Sequence, residues 1–231
     1  VSKLIITGSG RSGTAFIRNV LTDFDLRIGH ERIFSIWGMT GWGQFDGDSS
    51  WCLPAYANTI EEDYVIYHVV RNPVKVLRSH LSALGESGIG IWGKNNAIAM
   101  KPEHGSYLAF WKQHCPFAFE KDTGDAEKDQ ITRCIRYLYD WDNQIRAISG
   151  KTCFFATNKL EDLDYSTMQA ALGEIGKEFS LGEIEEKFTS SANRNDREKH
   201  FDWIDWDFIQ DHPEGHLMEE LRERYEYSYA L

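Results

Sequence analysis

The segment Thr7 to Leu21, TGSGRSGTAFIRNVL, sets glycines at 8, 10 and 13 directly behind the apolar run KLIIT. Glycines at that spacing let a backbone approach a phosphate, and a helix that starts beyond them turns its first amides toward the anion. Gly8, Gly10 and Gly13 satisfy the dinucleotide fingerprint G-x-G-x-x-G. Gly8, Gly13 and Thr14 also approach the P-loop pattern G-x-x-x-x-G-K-[ST], but no Lys precedes Thr14. Arg11 and Ser12 stand inside the turn, so Arg11 brings a cation into the loop itself.

Two further positions bear on which phosphate such a loop would hold. Glu31 lies eighteen residues beyond Gly13, after the apolar stretch LRIGH, close to where a dinucleotide site keeps an acid for ribose hydroxyls. A nucleotide kinase or NTPase would want the loop Lys and an acid for Mg²⁺ at another strand end. Instead the run YVIYHVV (64–70) leads into Arg71, and TCFFAT (152–157) leads into Asn158 and Lys159. Ser79 follows Arg71 by eight residues on the next helix. Two separated cations without a metal carboxylate suit a nucleotide that carries phosphate at both ends of its ribose.

The elements that must position these residues alternate strand and helix. KLIIT, LRIGH, YVIYHVV and TCFFAT read as buried strands, and helices are expected near 12–22, 73–84, 105–120, 126–149 and 165–177, with a last one after Pro213. Pro73 suits a first helical turn, and Pro116 is expected to bend or break its helix. In 126–149 the residues Ile131, Cys134, Ile135, Leu138, Trp141, Ile145 and Ile148 recur at helical spacing. Residues 33–59 match neither period. The pattern gives an α/β fold with a mostly parallel central sheet flanked by helices, whose ligands sit beyond the carboxyl ends of the strands.

SGRSGTAFIRNVL resembles the 5′-phosphosulfate loop of the PAPS-dependent sulfotransferases, in which Lys or Arg precedes Ser-Gly-Thr and a helix. VVRNPVKVLRSHLSAL resembles that family's 3′-phosphate motif, and NKLEDLDYSTMQAAL resembles a later segment of it. The resemblance covers about residues 3–31, 64–84 and 152–172, and departs at Ala15, where many members carry a second hydroxyl. It implies a P-loop NTPase-like sulfotransferase fold and transfer of a sulfuryl group from 3′-phosphoadenosine 5′-phosphosulfate (PAPS) to a hydroxyl or amine. That reaction leaves 3′-phosphoadenosine 5′-phosphate (PAP) and needs no metal.

The resemblance also implies roles. Arg11 spans the 5′-phosphate and the bridging oxygen, and Gly10, Ser12, Gly13 and Thr14 complete that cradle. Arg71 and Ser79 hold the 3′-phosphate, and Arg194 closes over the cofactor. Glu31 is the general base, with His30 as the alternative. Strand alternation is expected to let only one of the two reach the site.

At 231 residues, with 42% hydrophobic and 13% aromatic content, the chain is expected to fold as one domain over 1–231. Its Gly- and Trp-rich inserts, 33–60 and 85–105, are expected to hold a small-molecule, carbohydrate or lipid acceptor. A net charge of −11 excludes a general nucleic-acid binder. No apolar run approaches the length of about 20 residues that spans a bilayer, and no basic-then-apolar leader is visible. Cys52, Cys115, Cys134 and Cys153 are widely spaced and are expected to be core thiols in a reducing, cytoplasmic compartment. Two other readings of the loop stand beside the sulfotransferase. One is a Rossmann NAD(P)-dependent oxidoreductase with Glu31 on the ribose; the other is a nucleotide-binding interaction protein without turnover.

Overall fold

The computed structural model describes residues 2–82, 107–120, 126–149, 152–191 and 201–230. The chain divides into two units, Val1–Arg71 with Gln144–Arg194, and Asn72–Asn143 with Asn195–Leu231.

The first unit is built on a five-stranded sheet in the order β2-β5-β1-β6-β7, with every pairing parallel. Its strands are β1 (Lys3–Thr7), β2 (Ile28–His30), β5 (Gly47–Ser49), β6 (Tyr64–Val70) and β7 (Phe154–Lys159). A separate hairpin pairs β3 (Phe34–Ser35) with β4 (Gly38–Met39). Parallel strands covered on both faces need continuous apolar runs. The β6 run is buried along its whole length.

One face of this sheet presents Leu4, Ile6, Ile28, Val65, Tyr67 and Val69. Against it pack Ile17, Val20 and Leu21 of α1 (Thr14–Thr22), Met168, Ala171 and Leu172 of α6 (Tyr165–Glu174), and Ile184 and Phe188 of α7 (Leu181–Ser190). Full burial of each such aliphatic contributes about 1.5–3 kcal/mol. Helix α7 was not expected from the apolar pattern, yet it starts on a capping box in which Ser180 and Glu183 satisfy each other's backbone N–H.

Several expected elements shift at their ends. Helix α1 starts at Thr14 rather than Ser12, because Ser12 still belongs to the turn. The strand expected at 152–157 runs 154–159, so Asn158 and Lys159 lie inside it and not after it. Residues 33–59 are more ordered than their pattern suggested. Besides the hairpin and β5 they form a 3-10 turn at Trp42–Gln44 and the short helix α2 (Leu53–Tyr56).

In the second unit, α3 (Pro73–Leu81) starts with Pro73 in its first turn, and the Asn72 side chain caps the N–H groups of Val74 and Lys75. Helix α4 (Tyr107–His114) stops short of Pro116, which opens a 3-10 turn over 116–119. Helix α5 (Ala126–Ala147), which passes into the first unit at Gln144, carries the expected apolar face, for Ile131, Cys134, Ile135, Leu138, Trp141 and Ile145 are all buried, as is Ile148 just after it. Trp111, Tyr137 and Trp141 pack edge-on or tilted at 4.4–5.7 Å between ring centroids. Helices α8 (Trp206–Asp211) and α9 (Gly215–Arg224) complete the unit, and Arg224 and the Tyr225 hydroxyl both reach Asp142.

The four cysteines are free thiols; Cys52, Cys115 and Cys134 are buried as expected, while Cys153 is exposed and not a core residue. Among the described residues no helix is long and apolar enough to cross a membrane.

Candidate functional site

The glycine loop lies between the carboxyl end of β1 and the start of α1. Strand β1 is central, with β5 on one side and β6 on the other. The chain leaves β1 for β2 and β5, then crosses to β6 and β7, so the loop stands at the switch point where such sheets bind ligands. Gly8 packs directly on β6: a Cβ there would overlap the Val69 carbonyl and the Ser12 hydroxyl. Gly13 has φ 104°, a conformation that side chains rarely adopt, and caps α1 through its carbonyl.

Ser12 N–H donates to the Ser9 carbonyl at 3.1 Å and closes the turn. Arg11 sits in that turn with φ 70°, uncommon for a non-glycine residue. The Phe16 and Ile17 N–H groups donate to the Gly13 carbonyl at 3.0 and 3.2 Å, and no side chain caps the start of α1. Around the ends of β1 and β5, the hydroxyls of Thr7, Ser12 and Ser49 are buried and have no hydrogen-bond partner among the described residues. Buried hydroxyls are ordinarily satisfied, so three unmet ones near the glycine turn are available to a polar ligand.

Arg71 follows β6 directly, two residues beyond the Val69 carbonyl that Gly8 covers. Its Nε stands 3.7 Å from Glu161 Oε1, an ion pair with a residue just past β7. Strand β6 is β1's hydrogen-bonded neighbour, with Thr7 opposite His68. Adjacent strands lie about 4.8 Å apart, so Arg71 and the loop occupy the same end of two neighbouring strands. Glu161 belongs to NKLEDL, far from Arg71 in sequence, and no local pattern pairs the two.

His30 ends β2 and is exposed; its Nδ1 donates to the Ser49 carbonyl at 3.2 Å. Glu31 lies past the strand with φ 53°, so its direction is set by a left-handed turn and not by the strand's alternation. That is a correction to the alternation argument. Glu31 Oε1 accepts from Trp51 Nε1 at 2.9 Å. Burial pushes the Glu31 carboxyl above its ordinary value, and the charge of Asp48 adds to this, while His30 and the Trp51 N–H act against it.

Asp48 was missed entirely in the sequence. It sits on β5 with 0% exposure and accepts from the backbone N–H groups of Arg32, Ile33 and Phe34 at 3.1, 3.0 and 3.0 Å. Burial raises its pKa, and the three N–H bonds oppose that rise. The only signal available was Asp48 in FDGDSS, which reads as turn chemistry.

The strand order bears on Glu31 as well. A dinucleotide-binding half has strand order 3-2-1, with the ribose acid at the end of the strand next to β1. Here β5 intervenes between β2 and β1, so Glu31 stands two strands from the loop, about 10 Å across the sheet. That geometry argues against the ribose role.

Gly10, Arg11, Ser12, Gly13, Thr14, His30, Glu31 and Arg71 thus all belong to the first unit, at the carboxyl edge of its sheet. Ser79 lies in α3 of the second unit, buried at 4% exposure. Arg194 and the insert 85–105 lie outside the described residues. His68 is a core residue, 1% exposed, with Nδ1 3.4 Å from the Thr157 hydroxyl. No protein-family model matches the chain, and no curated protein is significantly similar to it.

Proposed function

We propose that this chain is a PAPS-dependent sulfotransferase of P-loop-like fold, acting on a hydroxyl or amine of a small-molecule, carbohydrate or lipid acceptor. One observation carries the reading: the glycine loop with Arg11 and the strand-end Arg71 occupy the same end of adjacent strands β1 and β6. A nucleotide with phosphate on both its 3′ and 5′ positions needs two such separated cations.

The residues present fit that nucleotide. The close approach of Gly8 to the Val69 carbonyl holds the loop against β6, and the unmet hydroxyls of Thr7, Ser12 and Ser49 offer donors around these strand ends. PAPS supplies a sulfuryl group already activated on a phosphate oxygen. Arg11 binds the 5′-phosphate and neutralises charge on the oxygen that leaves. The amides at the start of α1, with Ser12 and Thr14, hold the same phosphate against that helix end. Arg71 takes the 3′-phosphate.

Glu31 accepts the proton of the attacking acceptor group. A carboxylate made more basic by burial is better matched to that task near neutral pH. The acceptor lies over residues 33–60, where Phe34 stacks with Tyr56 and meets Trp42 edge-on, at centroid distances of 6.2 and 6.0 Å.

The direct test is PAP formation from PAPS against a panel of alcohols, phenols, sugars and amines, followed by chromatography. Acceptor-dependent PAP release is expected. Absence of release with all classes, together with hydride exchange on NAD(P)H, would replace the reading with the oxidoreductase.

A further inference from the structure

We infer that Asp48 and Trp51 are positioning residues for the Glu31 carboxylate: Asp48 fixes the left-handed turn on which it stands, and Trp51 fixes which of its oxygens meets the acceptor. The inference rests on the reading of Glu31 as the base. Its foundation is a run of four consecutive residues, each tied to the segment 30–34. Asp48 takes the N–H groups of Arg32, Ile33 and Phe34. The Ser49 carbonyl accepts from Glu31 N–H at 3.1 Å and from His30 Nδ1 at 3.2 Å. The Ser50 hydroxyl donates to the Phe34 carbonyl at 2.7 Å, and the Trp51 indole reaches Glu31 Oε1 at 2.9 Å.

A fully buried carboxylate is a poor choice for mere filling, since its desolvation costs several kcal/mol unless hydrogen bonds offset it. Three successive N–H groups aimed at one carboxylate form a nest, and such a nest fixes the backbone that makes it. The residue leading into this nest is Glu31 at φ 53°, a conformation that persists in a non-glycine residue only where the surroundings impose it. Asp48 imposes it. Trp51 then occupies Oε1, which leaves Oε2 to receive the acceptor's proton.

The two residues act on Glu31 with opposite sign. The indole N–H favours the ionised carboxylate, whereas the like charge of Asp48 disfavours it. The other titratable groups facing this site are His30, which favours the ionised form, and the buried Cys52 thiol, whose own pKa is pushed well up by burial and by the Glu31 and Asp48 charges.

The test is a carbon-13 carboxyl NMR titration of Glu31 in the full chain, for wild type, Trp51→Phe and Asp48→Asn, beside the pH profile of kcat. Trp51→Phe is expected to move the Glu31 titration and the acid limb of kcat upward, with plateau kcat falling about tenfold, the scale of one charged hydrogen bond, and KM for PAPS unchanged. Asp48→Asn is expected to move the titration downward. Unmoved titrations, or shifts of both variants in one direction, overturn the inference. Should Asp48→Asn fail to fold, an unmoved Glu31 in Trp51→Phe overturns it alone. Opposite shifts in a chain that turns over no acceptor uphold the positioning of Glu31 and sink the transfer reading instead.

Discussion

Arg71 Nε stands 3.7 Å from Glu161 Oε1, so the cation at the end of β6 is held by a carboxylate from the turn after β7. The two side chains are 14% and 31% exposed, which keeps the guanidinium near the rim of the sheet and within reach of a ligand. A phosphate arriving there competes with Glu161 for the same guanidinium.

Arg71→Ala is therefore expected to weaken PAP binding by about 10- to 100-fold, the range of a charged hydrogen bond. Glu161→Gln is expected to tighten it, by no more than about fivefold, because a partly exposed ion pair is worth little. Calorimetry on the two variants reads both effects. Binding of PAP by Arg71→Ala at wild-type strength would remove Arg71 from the site.

Gly8→Ala places a methyl group against the Val69 carbonyl and the Ser12 hydroxyl, both of which belong to packed backbone or to the turn itself. The expected cost is about 1–3 kcal/mol of stability, the scale of overpacking, together with loss of PAP binding. Urea unfolding at constant m-value measures the first. A variant as stable as wild type would show that β1 and β6 do not approach as closely as described.

Glu31→Gln is expected to bind PAP normally and to lose about 10²- to 10⁴-fold in turnover, the usual contribution of a general base. The pH dependence follows from the raised pKa. In the folded chain the carboxyl ionises later than in the unfolded chain, so folding loses stability as pH rises from the ordinary carboxyl value of 4.5 through the folded one. Glu31→Gln is thus expected to be more stable than wild type at neutral pH and equal to it in acid below that window. Turnover of the wild type is expected to fall on the acid side as the same carboxylate takes a proton. An advantage of the variant over wild type that is no larger at pH 7 than at pH 4 would contradict the burial of Glu31.

Much of this fold was legible because its signals are strong. YVIYHVV is a β-branched and aromatic run too apolar for an edge, and α5 repeats its apolar residues over six turns. The loop and its flanking strand and helix were legible for the same reason. Strand β5 was not, because Gly47, Asp48 and Ser49 are poor strand formers; their neighbours β1 and β2, and not their own preference, place them in the sheet. With β5 hidden, the support for Glu31 was hidden too, since a buried Asp that binds backbone N–H groups looks in sequence like any turn Asp. Helix α7 carried a readable start in Ser180 and Glu183. The partnership of Arg71 and Glu161 links residues ninety positions apart, which no local pattern encodes.

Saturating nucleotide is expected to stabilise the folded chain through mass action alone. At about 100 times its dissociation constant, PAP would add about 2.7 kcal/mol and raise the melting temperature in a concentration-dependent way. Thermal unfolding with PAP, with adenosine 5′-phosphate and without ligand separates this from a general effect of anions, since only the bisphosphate is expected to engage both Arg11 and Arg71.

The most direct measurement is calorimetric titration of the chain with PAP beside adenosine 5′-phosphate, ATP with Mg²⁺, and NAD(P)H. Micromolar binding of PAP, much weaker binding of the monophosphate, and a further loss in Arg71→Ala are the results expected of a two-phosphate site. Preference for NAD(P)H, or equal affinity for PAP and the monophosphate, would contradict it.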